Sequence, residues 1–281
     1  MRAQVPFQVR FWGVRGSIPS PGPGTRRYGG NTPCVEMRVG NELLIFDLGS
    51  GARALGDSLR AAGPVKASIF VSHYHYDHLQ GLPFFTPMFS DKNVFRVYGS
   101  PRNGQSVKEI LSGQMTQPYF PVTAEMTFRA QLTYHDVTAG EVLKVGKAKV
   151  RTLELHHPGG NLGFRVECEG RSVVYATDIE HGNPEWDEQF FKFARGADFL
   201  IYDSMYTDDE YHGRVGPKRT GWGHSTWQAA VRAADEAKVK TLVLFHHDPG
   251  RDDASMEKLV RAVRKHRPEA FAAREAMAID V

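Results

Sequence analysis

The chain has 281 residues, 41% of them hydrophobic and 24% charged, and 35 basic against 32 acidic side chains leave a net charge of +3. This apolar content excludes a disordered polymer, 2 cysteines exclude a disulfide scaffold, and no apolar run approaches the roughly 20 residues of a membrane helix. The balanced charge does not suggest a protein that wraps long nucleic acid, and it leaves a small phosphorylated substrate open.

Met1 to Trp12 mixes Arg, Gln and Pro with apolar residues and reads as no export signal, so a reduced, cytoplasmic setting is expected. Ser17 to Gly30 is rich in Pro and Gly and reads as a loop. Val35–Val39 and Glu42–Phe46 read as strands around a Gly40-Asn41 turn, followed by a helix from the Asp47-Leu48-Gly49-Ser50-Gly51 break to about Ala62. Ala67–Ser72 is an apolar strand, and Pro101–Met115 is expected to be helical. Lys149–Leu155, Leu162–Cys168 and Ser172–Ala176 read as strands, the last two joined at Glu169-Gly170. Helices are expected over Glu185–Arg195, Ser225–Ala237 and Ala254–His266, with Ser225 or Thr226 as the N-cap of the second. Phe199–Tyr202 and Thr241–Phe245 are short buried strands between them. With no linker or repeat, residues 1–281 are expected to form one α/β domain whose sheets are covered by helices.

The sharpest signal is Ser72-His73-Tyr74-His75-Tyr76-Asp77-His78, directly after the apolar strand. Imidazole and carboxylate suit zinc and comparable divalent ions. Alternation at a strand end puts His73 and His75 on one side, and the following turn aims Asp77 and His78 at a second position, so one segment can seed two adjacent metal sites. A solvated loop with chance histidines is the weaker reading.

This H-x-H-x-D-H segment resembles the hallmark of the metallo-β-lactamase-fold hydrolases, and the resemblance extends over nearly the whole chain. Asp47 matches the strand-end Asp of that family, His157 its next histidine, Asp178 its bridging Asp and His246 its last metal histidine. The resemblance implies a four-layer αββα sandwich, one ion on His73, His75 and His157, another on Asp77, His78 and His246, and Asp178 between them. Zinc is the first choice of ion and manganese the second. His156 and His247 compete with their neighbours. Strand parity with Leu153 and Leu155 and the His-Pro pairing favour His157, while a place directly after the strand favours His246. Asp47 is expected to orient a metal-bound histidine rather than to bind metal itself.

Gly221-Trp222-Gly223-His224-Ser225-Thr226 resembles the extra histidine motif of the phosphodiesterase branch, which includes ribonuclease Z and PhnP-type enzymes. There the histidine contacts the phosphate and protonates the leaving oxygen, and an acidic residue matching Asp203 orients it. The resemblance implies that bound divalent ions would supply an activated hydroxide for attack on phosphorus, with Asp77 helping to orient it. The tRNA-gripping arm of ribonuclease Z has no room between Pro158 and Thr177, and Cys34 and Cys168 cannot build a PhnP-type structural zinc site. The reading is a phosphodiesterase with two divalent ions acting on a small diester such as a cyclic nucleotide. No membrane and no stable complex with long nucleic acid are expected, and a homodimer is admitted. An RNA-processing nuclease of ribonuclease Z type and a thioester or lactam hydrolase are the alternatives. Asn31, Trp222 and Tyr211 are candidate substrate contacts, and Arg15 and Lys218 are weaker ones; Phe84 and Phe85 are expected in the core, and Cys34 and Cys168 as buried free thiols.

Overall fold

The computed structural model describes residues 4–281; residues 1–3, which open the segment read above as no export signal, lie outside them. The first half runs β1 (Phe7–Gly13), β2 (Cys34–Val39), β3 (Glu42–Phe46), α1 (Gly51–Ala62), β4 (Lys66–Phe70), α2 (Tyr76–Leu79), β5 (Val94–Gly99), α3 (Val107–Ser112), α4 (Ala124–Thr127) and β6 (Gln131–Asp136). The second runs β7 (Val142–Val145), β8 (Ala148–Leu155), β9 (Asn161–Cys168), β10 (Arg171–Ala176), α5 (Pro184–Ala194), β11 (Phe199–Asp203), α6 (Asp208–Tyr211), α7 (Trp227–Glu236), β12 (Thr241–Phe245), α8 (Asp253–Arg264), β13 (Phe271–Ala272) and β14 (Ala278–Asp280). Two seven-stranded sheets result, ordered β14-β1-β2-β3-β4-β5-β6 and β13-β12-β11-β10-β9-β8-β7.

The central strands are apolar along their whole length because both of their faces are covered. In β3, Leu44 and Phe46 join Phe70, Phe164 and Tyr175 between the sheets, whereas Leu43 and Ile45 face outward onto Leu55 and Leu59 of α1. In β10, Val173 and Tyr175 point between the sheets, and Val174 and Ala176 pack outward with Phe190 of α5 and Ala230 of α7. This alternation builds the expected four layers, helix, sheet, sheet, helix. Burying one such aromatic is worth roughly 1.5–3 kcal/mol, so the contacts of Phe46 with Phe164 and Tyr175 of the facing sheet, at 5.5 and 5.6 Å between ring centroids, are a large part of what joins the layers.

Strands β3 to β6 run parallel, as do β10 to β13, and β8 runs in the direction of β10 because each is antiparallel to β9. The carboxyl ends of β3 and β4, and those of β8, β10, β11 and β12, carry the polar residues that follow. In α/β sheets this is the edge where ligands bind.

Several expectations need correction. Helix 101–115 shrinks to α3, because Asn103 and Gly104 take positive φ (51° and 76°) and the Ser106–Glu109 capping box starts the helix only at Val107. Strands β1, β5, β6, β7, β13 and β14 were not anticipated; β6 alternates exposed with half-buried residues, so it lacks an apolar run. Phe84 is 53% exposed, against the core placement expected, while Phe85 is fully buried. Cys34 and Cys168 are buried and free, and desolvation raises both thiols above their ordinary pKa. Among the described residues, no helix is long and apolar enough to cross a membrane.

Candidate metal centre

Asp47, Asp178 and His246 each follow the last residue of a strand or lie within two of it, and all three adopt the left-handed backbone region, with φ of 62°, 53° and 59°. A non-glycine residue held there costs on the order of 1–3 kcal/mol, which the surrounding packing has to sustain. The abrupt turns stop the strands and bring their side chains together with the His73–His78 segment.

Three ring nitrogens converge first. His75 Nδ1 lies 3.0 Å from His73 Nε2 and 3.2 Å from His157 Nε2. A tetrahedral zinc with Zn–N near 2.0–2.1 Å would hold its ligand atoms about 3.3 Å apart. Asp178 joins this set, with Oδ1 3.7 Å from His73 Nε2. The tautomer of His157 is fixed: its Nδ1–H donates to the Gly223 carbonyl at 2.8 Å, so Nε2 is bare. Burial also lowers His157 to about 4, keeping it neutral at pH 7.

The second set has the same spacing. His78 Nε2 is 3.3 Å from Asp77 Oδ2 and 3.1 Å from Asp178 Oδ2, and His246 Nε2 is 3.1 and 3.3 Å from the same two oxygens. Among the described residues the buried His78 Nε2 finds no hydrogen-bond partner, although it faces two carboxylates. An orphaned nitrogen so placed fits a cation. Burial raises the Asp77 and Asp178 carboxyls, but the surrounding imidazoles outweigh it and drive both well below the usual carboxylate range. Asp178 belongs to both sets, so the residues present fit two neighbouring divalent ions.

Supporting groups hold these ligands. Asp47 Oδ2 accepts from His78 Nδ1 (2.9 Å), Tyr175 Oη (2.8 Å) and Ser72 Oγ (2.8 Å), and Oδ1 accepts from the Ser72 N–H. Asp47 thus orients His78 and stands apart from both ligand sets. The Ser17 N–H donates to Asp77 Oδ2 at 2.8 Å. Beside Asp178, His224 places Nδ1 2.8 Å from Asp203 Oδ2 and its ring stacks on His246 at 5.0 Å. Burial pushes His224 down, but Asp203, Asp178 and Asp77 outweigh it and raise the imidazole to about 9. A cavity of about 520 Å³ opens over Asp77, Asp178 and His224, walled by Tyr74, Tyr76 and Gln114.

The paired histidines separate clearly. His156 stacks on Trp186 at 5.6 Å, away from the cluster, and His247 is buried with Nε2 2.9 Å from the Ala273 carbonyl. Three proposed contacts are corrected. Asn31 is occupied by Glu275 and Ser50 (3.0 and 2.9 Å), and Tyr211 is buried with its hydroxyl on Glu180 at 2.6 Å. Arg15 is fully buried on the carbonyls of Gly29, Asp248 and Arg251, so it is a brace for those loops. Trp222 is 52% exposed two residues before His224, and Lys218 is exposed on the same segment. Ser17, Ser72 and Tyr175 were missed; only the last carried a signal, since it shares a face with Val173 and so points between the sheets.

A sequence model described as the beta-lactamase superfamily domain matches residues 45–247. Ribonuclease Z of Picrophilus torridus is 27% identical over 293 aligned positions, covering 89% of this chain and 88% of that protein. The metallo-beta-lactamase fold protein YhfI from Bacillus subtilis superposes with a TM-score of 0.72 at 18% identity, over 99% of this chain and 100% of that one. A diphosphatase from the PhnP family gives 0.70 at 17% identity, over 99% and 98%. The structural likenesses establish the fold. The relative named for a ribonuclease overturns the expectation of a small substrate and no long nucleic-acid partner. That expectation took net charge as its guide, whereas binding depends on where charge sits: Lys218 is exposed on the segment that leads through Trp222 to His224, and Arg214 on the same segment is paired with Asp209 at 2.6 Å.

Proposed function

The chain belongs to the beta-lactamase superfamily, and from that membership we propose that it is a metal-dependent phosphoric diester hydrolase that cleaves RNA. The observation that carries the reading is the His224–Asp203 pair, 2.8 Å apart at the edge of two cation-binding donor sets. An alkoxide is a poor leaving group and needs a proton as the P–O bond breaks. A thiolate leaving from a thioester does not need one, so a carboxylate-held imidazole at this position favours phosphodiesters.

Divalent ions in the two donor sets, zinc first and manganese second, would supply an activated water and neutralise phosphate charge. His73, His75 and His157 would hold one, Asp77, His78 and His246 the other, with Asp178 shared. Asp77 orients the attacking water. His224 delivers the proton from Nε2 to the departing oxygen, while Asp203 keeps the other proton on Nδ1 and stabilises the charged ring. RNA is supported by the relatives named Ribonuclease Z and by the basic, aromatic segment before His224. The free buried cysteines suit a reducing compartment such as the cytoplasm.

The test is turnover of bis-p-nitrophenyl phosphate and of an end-labelled RNA by metal-loaded protein, wild type beside His224→Ala. Cleavage of both by the wild type, with loss of about a hundredfold or more on RNA in the variant, supports the reading. A wild type that keeps its ions and cleaves neither sinks it, and thioesters and lactams become the next panel.

A further inference from the structure

Glu180 lies two residues beyond Asp178, is 5% exposed, and among the described residues forms no ion pair with Lys or Arg. A carboxylate buried in this way needs several donors. Oε1 accepts from the Tyr211 hydroxyl at 2.6 Å and the Gly221 N–H at 2.5 Å, and Oε2 accepts from the Gly223 N–H at 2.8 Å. Both oxygens therefore grip the turn that leads into His224.

Gly223 couples that grip to the ligand sets. Its φ is 85°, and a Cβ there would lie 2.2 Å from His157 Nδ1, so only glycine lets the backbone approach the ring. Its carbonyl accepts the His157 Nδ1–H, and the next residue is His224. One glycine thus donates to Glu180, holds the tautomer of His157, and sets where His224 starts.

We propose that Glu180 is a positioning residue for the hydrolytic reaction, clamping residues 221–223 so that His224 Nε2 meets the leaving oxygen. This inference rests on the phosphodiesterase reading. A plain loop staple would affect all substrates alike. A clamp that places the proton donor matters most where the leaving group is poor, because a p-nitrophenolate departs with little help and a ribose oxygen does not.

The experiment compares wild type, Glu180→Gln and Tyr211→Phe, saturated with zinc, on bis-p-nitrophenyl phosphate and on an RNA dinucleotide, with bound metal measured on the same samples. The amide of Glu180→Gln matches the carboxylate in size but turns an N–H toward one of the glycine donors. The expected result is a fall in kcat of about tenfold or more on the dinucleotide with KM little changed, and of less than about threefold on the aryl diester. Tyr211→Phe, which leaves both glycine bonds intact, stays near wild type on both. Equal losses on the two substrates, or none, overturn the proposal while the phosphodiesterase reading stands. A wild type inert on both overturns the two together. Where the amide variant does not fold, Glu180→Asp, which draws the charge back by one methylene, is held to the same split.

Discussion

His224 Nδ1 lies 2.8 Å from Asp203 Oδ2, and Asp203 is wholly buried at the end of β11 with Oδ1 accepting the Met205 N–H. The carboxylate has no donor of its own, so the proton between the pair belongs to Nδ1. The direction of His224 Nε2 is therefore inherited from a strand of the core.

His224→Ala is expected to lower kcat on RNA by about a hundredfold or more, and Asp203→Asn by about tenfold or more. The amide can donate to Nδ1 and so stabilise the wrong tautomer. Steady-state kinetics with unchanged circular dichroism separates this effect from misfolding.

The raised imidazole sets the pH dependence. His224, at about 9, is charged below that value and neutral above it, so activity toward alkoxide leaving groups should fall as pH rises through the region. Its stabilising contribution is complete below the ordinary histidine value of about 6.5 and is lost as pH rises through the folded value. A pH–rate profile should show an alkaline limb in the wild type that is missing in His224→Ala.

Tyr175→Phe removes a fully buried hydroxyl that donates to Asp47 at 2.8 Å. The acceptor keeps Ser72 and His78 but loses one partner, which should cost about 1–3 kcal/mol. Urea denaturation at saturating metal measures it. Asp47→Ala releases His78 and should weaken metal binding by about 10–100-fold, read by competition with a chromophoric chelator.

Chelation should lower the thermal midpoint, because it leaves two sets of crowded imidazoles and carboxylates without a shared cation. Restoring zinc to a hundred times its dissociation constant should return about 2.7 kcal/mol. Lowering the pH should weaken that recovery, since protons compete for the same nitrogens and oxygens. Differential scanning calorimetry at several pH values measures both effects.

The site was far more legible than its surroundings. Ligand chemistry at fixed spacing announces His73 to His78, and strand parity with the His-Pro pairing separated His157 from His156. Asp203 and His224 were readable from their motifs. Glu180 was not, because its donors are two glycine N–H groups and a tyrosine that no spacing rule connects to it. Arg15 misled for the opposite reason: an arginine in a glycine-rich loop suggests phosphate, yet three carbonyls from distant turns enclose it. Edge strand β6 lacked an apolar run because one side is open to water and the other only half-buried, leaving Leu132 and Tyr134 alone to mark it.

The ligands straddle the seam between the layers: His73 to His78 follow β4 in one sheet, and His157, Asp178 and His246 follow β8, β10 and β12 in the other. Neither sheet alone supplies a full donor set, so a cation is held by the whole set only once the layers have docked. It should act as a late latch, slowing the unfolding rate while leaving the folding rate unchanged. The ions would then guard the joint between two halves of the chain as well as the chemistry at its rim.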